Sequence, residues 1–143
     1  MFRLSNSPLE INNLHASLQS ETAGGFVCFE GRVRTLNEGK TVTSLEYESY
    51  GPLAEKEGLR VIQEAKEKFP IIAASCVHRI GHLQIGDIAI WVGVISQHRG
   101  PSFEACRYII DEIKSRLPIW KKEHYQDGDS GWINCEKPNS SSK

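Results

Sequence analysis

The sequence predicts a single α+β domain with a mostly antiparallel sheet and two long helices. Its 143 residues are enough for one hydrophobic core. Stretches rich in β-forming residues alternate with two long stretches of helical periodicity. Several strand-like stretches are joined by hairpin-length connections, which favours antiparallel pairing over a doubly wound sheet. We expect the domain to span residues 1–137 and the polar tail 138–143 to be disordered.

The N-terminal half predicts a short helix followed by a β-hairpin. Ser7-Pro8 favours a helix start, and apolar residues follow at helical spacing. Two β-rich stretches, residues 26–34 and 41–50, flank a polar loop and are typical of a hairpin. Side-chain alternation would then place Arg32 and Arg34 side by side at the end of the first strand.

The C-terminal half predicts the two long helices and the rest of the sheet. One helix opens at Gly51-Pro52 and stops at Pro70, and two strands follow at 71–79 and 88–96. The second long helix starts at Gly100-Pro101, and Pro118 ends it. We expect its buried stripe to be Phe103, Cys106, Ile109, Ile110, Ile113 and Leu117. A last hairpin is predicted from residues 119–125 and 132–136.

Composition excludes several classes of protein. With 17 Lys and Arg against 18 Asp and Glu, the net charge of −1 argues against a general nucleic-acid binder. The longest apolar run, residues 88–96, is far shorter than the roughly 20 residues of a membrane-spanning helix. The N-terminus lacks the apolar stretch of a secretory signal, so a cytoplasmic location is expected.

Cysteine and histidine spacing gives no metal motif. The four cysteines form no C-x-x-C pair, so we expect neither structural zinc nor a resident cofactor, and we expect each cysteine in the core. His15, His78, His82 and His124 are interpreted as hydrogen-bonded polar groups. Nucleotide-binding and hydrolase motifs are also absent from the sequence.

Basic residues gather at the ends of three predicted elements. Arg32 and Arg34 close a strand, the pair His98-Arg99 precedes a helix, and a run from Lys114 to Lys122 surrounds Pro118. Guanidinium groups and helix N-termini bind phosphate or carboxylate. Each group also has a purely structural interpretation, because cations in the last turn of a helix are favoured by its dipole.

Five blocks of sequence carry a resemblance to a known family. They are GRVR (31–34), LEYESYGPLAEK (45–56), HRIGHLQIGD (78–87), VGVISQHRGPSFEAC (92–106) and PIWKKE (118–123). In this order they resemble the MoaE-like family, the large (catalytic) subunits of molybdopterin synthase. The resemblance covers about residues 25–133, nearly the whole predicted domain.

The resemblance implies an α/β-hammerhead-like fold and a sulfurtransferase activity. In that family, sulfur passes from the C-terminal Gly-Gly thiocarboxylate of a small ubiquitin-like carrier subunit to cyclic pyranopterin monophosphate, forming the dithiolene of molybdopterin. The family assembles as a homodimer within a heterotetramer. The charge balance and the short apolar runs described above predict neither a nucleic-acid nor a membrane partner.

Matching positions imply the site residues. Lys114 and Lys121 correspond to the catalytic lysines, and the implied substrate-binding residues are Arg32, Val33, Arg34, His98, Arg99, Lys114, Lys121, Lys122 and Glu123. Three alternatives stay open. The chain could be a non-catalytic module that binds an anion or the carrier, or a purely structural dimer subunit whose basic groups are solvated. It could also be a sulfurtransferase that uses a persulfide on an exposed cysteine of low pKa.

Overall fold

Two sheets and three helices build the fold in the residues that the structure, a computed structural model, describes, namely 1–126 and 128–134. The elements in chain order are β1 (Phe2–Ser5), α1 (Ile11–Ser17), β2 (Gly25–Arg32), β3 (Leu36–Asn37), β4 (Lys40–Ser49), α2 (Gly51–Lys68), β5 (Ala73–Arg79), β6 (Gly81–Gln84), β7 (Ile88–Ser96), α3 (Arg99–Arg116), β8 (Ile119–Tyr125), β9 (Gly128–Asp129) and β10 (Ile133–Asn134).

The first sheet has the strand order β1-β5-β7-β2 and holds the main core. β1 runs parallel to β5, whereas the other pairs are antiparallel. Helices α2 and α3 cover one face, where Cys76 and Val92 pack against Val61 and Ile109. Helix α1 covers the other face over the fully buried Trp91. A strand with helices on both faces of its sheet carries apolar side chains on both faces. The almost continuous apolar sequence of β7 fits this position.

The second sheet has the order β10-β8-β4-β3 and supports the candidate site. β6 also pairs with β4, and β9 pairs with β8, all antiparallel. Because β6 and β8 pair with the same stretch of β4, β4 lies between them. One face of this sheet packs on a smaller core that contains Leu45 and Leu83, and the other face points outward.

The α+β class, the mostly antiparallel sheets and the two long helices are confirmed. β7 has the predicted bounds, while α2 ends just before Pro70 and α3 starts one residue earlier than Gly100. The last hairpin is confirmed where β10 pairs with β8. Residues 135–136 of its second strand, Cys135 and the tail 138–143 lie outside the described residues. Within the described part of the chain, the helices lack the length and apolarity that crossing a membrane requires.

The predicted hairpin between residues 26–34 and 41–50 is wrong. β2 pairs with β7 in the first sheet, whereas β4 pairs with β8 in the second. The intervening segment forms its own tight hairpin, in which Leu36 pairs with Thr41 and Glu38 and Gly39 take positive φ values of 52° and 80°. That local turn reverses the chain, so β4 continues away from β2.

Two helix predictions need correction. Helix α1 begins at Ile11, because the Ser5 hydroxyl donates to the Ser7 carbonyl at 2.9 Å and holds that segment in a turn. The strand before it, β1, was not predicted. In α3, Phe103 is 59% exposed and is not part of the buried stripe. At this end of the helix the buried residues are Ser102 and Ala105 instead, so the buried side of α3 passes through them.

Candidate active site

Lys114 and Lys121 flank an aromatic pair made by Tyr47 and His78. Lys121 on β8 stands directly opposite Tyr47 on β4. The Tyr47 ring meets the His78 ring edge to face, with centroids 5.0 Å apart. Lys114, in the last turn of α3, lies close enough to His78 for its charge to help lower the pKa of that imidazole. The structure therefore brings the two predicted catalytic lysines to one region.

His78 is uncharged at neutral pH. Burial, and secondarily the Lys114 charge, lowers its pKa to about 4, although a hydrogen bond to the Arg79 backbone opposes the shift. Its Nδ1 lies 2.8 Å from the Arg79 carbonyl oxygen, so the neutral ring donates its proton there. The interpretation of His78 as a hydrogen-bonded polar group is confirmed. A neutral ring adds no positive charge beside the lysines.

Lys121 is held by a buried carboxylate. Its ammonium lies 3.9 Å from Glu123 Oε1, and Glu123 is only 3% exposed. The same oxygen accepts a hydrogen bond of 2.9 Å from the Asn37 side chain on β3. Residues 121 and 123 share one face of β8 because side chains alternate along a strand. Glu123 therefore orients the Lys121 side chain from the same face of the strand. Asn37 supports Glu123 in turn, and the pattern of basic residues in the sequence did not reveal this contact.

Lys122 points to the opposite face of β8. Its ammonium sits 4.6 Å from the centroid of the Trp132 ring, a cation–π contact. Strand alternation separates it from Lys121, so the two adjacent lysines do not share a surface.

The Arg32–Arg34 segment differs from its prediction. A register shift after Gly31 ends β2 at Arg32, so Arg34 lies beyond the strand and the two side chains do not stand side by side on it. Arg32 is exposed and pairs with Glu30 at 2.9 Å. Val33 is buried in the smaller core, where its side chain has no access to a ligand.

His98 and Arg99 mark the exposed N-terminus of α3. His98 is its N-cap residue, with no side-chain capping bond, and Arg99 is the first helical residue. Ser102 Oγ donates to the Gly25 carbonyl at 3.1 Å and fixes this end to β2. A Cβ on Gly25 would lie 2.9 Å from Arg99 Cα, so only glycine permits the close approach. Free N–H groups and the helix dipole favour an anion here.

Within one chain these two basic regions are far apart. Arg99 and Lys114 are separated by 15 residues of one helix, about 22 Å at 1.5 Å per residue. A single copy of the chain therefore places the lysines at one end of α3 and the His98–Arg99 pair at the other.

The cysteines differ in their exposure. Cys76 and Cys106 are buried as predicted, but Cys28 is exposed on β2, so the prediction of a core position for it is wrong. β2 is the edge strand of the first sheet, so no further strand of the described chain covers Cys28 on that side. Burial, followed by the charge of Glu30, raises the pKa of the Cys28 thiol.

Comparisons with known proteins identify the family. The sequence pattern described as "MoaE protein" matches residues 4–116. A molybdopterin synthase catalytic subunit from a Nostoc species is 39% identical over 140 residues, covering 95% of this chain and 85% of the relative. The one from Pyrococcus abyssi is 43% identical over 122 residues, covering 85% and 82%. The crystal structure of molybdopterin synthase from Staphylococcus aureus superposes with a TM-score of 0.88 at 40% identity, covering 93% of this chain and 96% of that one.

The fold, the site and these relatives define the class of protein: it is an α+β enzyme of molybdenum cofactor biosynthesis. The chain belongs to the MoaE family. The two similar sequences named above are molybdopterin synthase catalytic subunits, and the similar structure is that of a molybdopterin synthase.

Proposed function

We propose that the chain transfers sulfur from the C-terminal thiocarboxylate of a small carrier subunit to cyclic pyranopterin monophosphate, forming the dithiolene of molybdopterin. The observation that carries this proposal is the convergence of Lys114 and Lys121 on Tyr47 and the neutral His78. Thiocarboxylate and phosphate are both anions, so two nearby ammonium groups suit their recognition.

The two lysines have different surroundings and therefore different proposed roles. Lys121 is fixed by Glu123, which suits an ammonium that orients the thiocarboxylate and stabilises charge on a tetrahedral intermediate at its acyl carbon. Lys114 stands at the helix end beside a neutral imidazole. It serves either as an electrostatic clamp or as a nucleophile. As a nucleophile, its neutral amine attacks the acyl carbon of the thiocarboxylate, the C–S bond breaks and the sulfur leaves as sulfide for the pterin, and water then hydrolyses the transient amide to the carrier carboxylate. Mass spectrometry of a quenched reaction distinguishes the two roles.

Arg34, His98 and Arg99 are the proposed ligands of the substrate phosphate. The length of α3 keeps His98 and Arg99 about 22 Å from Lys114 in one copy. We therefore place the complete pocket in a homodimer, where one copy supplies the lysines and the other supplies the His98–Arg99 end. A small carrier subunit on each copy then gives the proposed heterotetramer.

A mixing experiment tests the shared pocket. Lys121→Ala and Arg99→Ala are each expected to be nearly inactive alone. After subunit exchange at equal concentrations, half of the dimers carry both variants, and each of those has one intact pocket. Activity should then recover to about one quarter of wild type. No recovery, with exchange verified by mass spectrometry, would place both residues in the same copy's pocket.

A persulfide mechanism on the chain's own cysteines lacks support among the described residues. Burial raises the pKa of the Cys76 and Cys106 thiols, and the exposed Cys28 also has a raised pKa. A thiolate nucleophile needs the opposite shift. We expect the variant with all four cysteines replaced by serine or alanine to keep its activity if it folds. The single variant Cys28→Ser changes only an exposed side chain, and we expect it to fold and to be active.

The second candidate function is a non-catalytic module that binds the carrier or a phosphorylated ligand through the same basic residues. The test is to combine the purified chain with thiocarboxylated carrier and cyclic pyranopterin monophosphate and to measure molybdopterin. Product formation supports the sulfurtransferase. Carrier binding without product, by a folded chain, supports the binding module instead.

A further inference from the structure

Three metal-binding side chains meet on the outward face of the second sheet. They are Glu46 on β4, His82 on β6 and His124 on β8, which are three adjacent strands. Glu46 stands directly opposite His82, and His124 is opposite Ser44, two residues from Glu46 on the same face. One ligand atom from each residue lies within 4.8 Å of the other two. Neither lysine of the candidate active site belongs to this group.

Small movements would let the three side chains share one ion. Glu46 Oε1 and His124 Nε2 lie 2.7 Å apart and form a hydrogen bond, which a bound ion would replace, and the rings of His82 and His124 have centroids 6.0 Å apart. Zn²⁺ with bonds of 2.0–2.1 Å in a tetrahedral arrangement separates neighbouring ligand atoms by about 3.3 Å. His82 is exposed on an edge strand, so rotation of its side chain can supply the needed movement of about 1.5 Å.

The surrounding charges permit a divalent cation. Lys122 is opposite Glu46 on this face, but its ammonium is drawn over the Trp132 ring. Arg79 lies near the His82 backbone, and its charge is paired with Asp87 at 3.2 Å. The neighbours in register are the neutral Ser44 and Gln84 and the acidic Asp129, which is opposite His124 and accepts a hydrogen bond from the Gly131 amide. Two imidazoles and one carboxylate would therefore hold the ion, and the negative charge of Asp129 beside them favours a cation.

We propose that Glu46, His82 and His124 bind a divalent transition-metal ion of the zinc class. A set of two histidines and one carboxylate is a common donor set for such ions, and three protein ligands leave a position open for water or another ligand. The ion joins β6, β4 and β8, and β8 carries Lys121 on its other face. The ligands are 36 and 42 residues apart along the chain, which is why no zinc motif is visible in the sequence.

The site is tested by metal titration of the untagged full chain after chelator treatment. With Zn²⁺, calorimetry should give about one equivalent per chain, and the thermal unfolding midpoint should rise. Co²⁺ should give visible absorption bands of a four- or five-coordinate ion without a thiolate charge-transfer band. His82→Ala and Glu46→Gln should each weaken binding at least tenfold, and the exposure of His82 makes its variant a safe one for folding.

A matched control removes a competing soft ligand. Cys28 Sγ lies 3.7 Å from His15 Nε2, so this thiol and imidazole could hold the same metals. Cys28→Ser should leave the stoichiometry, affinity and Co²⁺ spectrum unchanged if the proposal is correct. Loss of binding in Cys28→Ser, unchanged binding in His82→Ala and Glu46→Gln, or no Zn²⁺ binding by the wild-type chain would each overturn it.

Discussion

Mild acid is expected to destabilise the fold through His78. The side chain is buried at 8% exposure, and its pKa falls from the ordinary 6.5 to about 4, mainly because burial disfavours the charged ring. Between these two pH values His78 is protonated in the unfolded chain but not in the native chain. The free energy of unfolding therefore decreases as the pH falls through this window. A difference of about 2.5 pKa units corresponds to about 3 kcal/mol over the whole window.

Urea unfolding at pH 7 and pH 5 measures this loss. The wild-type chain should be less stable at pH 5 by about 2 kcal/mol from His78 alone, because most of the window lies above that pH. The variant His78→Phe keeps an aromatic ring beside Tyr47 without a titrating group, so it should lack this part of the pH dependence. In the wild-type chain, the imidazole resonance of His78 should titrate near pH 4.

Two results would refute the reasoning. One is an equal loss of stability in the wild type and in a folded His78→Phe variant. The other is a titration midpoint of His78 near 6.5, which would mean that the ring is solvated and can carry a charge beside Lys114.

Three further substitutions have defined outcomes. Glu123→Gln keeps a hydrogen-bonding amide but removes the charge that fixes Lys121, so turnover should fall about tenfold in a reconstituted assay while the unfolding midpoint changes little. Arg116→Ala removes ion pairs from a partly exposed cluster, so urea unfolding should show a loss of about 1–2 kcal/mol, and the pKa of Glu64 should rise from about 2. Phe2→Ala empties a buried position, and calorimetry should show a loss of about 3–5 kcal/mol.

Matched controls make these results interpretable. Asp111→Asn removes an exposed carboxylate that pairs with Arg107 on the surface of α3, and its stability and turnover should stay near wild type. If Glu123→Gln is fully active, Lys121 does not depend on its buried partner. If Arg116→Ala is as stable as Asp111→Asn, the cluster between α2 and α3 contributes no more than an ordinary surface pair.

Local signals in the sequence predicted most helices and strands, but not all of their partners. Gly51-Pro52, Pro70 and Pro118 mark helix boundaries through backbone geometry that any fold must respect. The apolar run of β7 likewise reveals a buried strand. Pairing is decided by contacts distant in sequence, so the neighbouring stretches that form β2 and β4 were assigned to one hairpin although they belong to different sheets.

The site was predictable in its residue types more than in its arrangement. The basic runs and the family resemblance single out Lys114 and Lys121, and the resemblance includes Glu123. Strand alternation then separates Lys122 from Lys121, and tertiary packing buries Glu123 and brings Asn37 from β3 to support it. The distance between the two ends of α3 follows only once residues 99–116 are known to form one continuous helix.

The rate of molybdopterin formation in lysine variants tests the central claim most directly. Wild type, Lys114→Ala, Lys121→Ala and the control Lys56→Ala, an exposed lysine on α2, would each be combined with thiocarboxylated carrier and cyclic pyranopterin monophosphate. The account predicts product with the wild type and Lys56→Ala, and a loss of at least a hundredfold, about 3 kcal/mol, in both site variants. Full activity in folded Lys114→Ala and Lys121→Ala would contradict it.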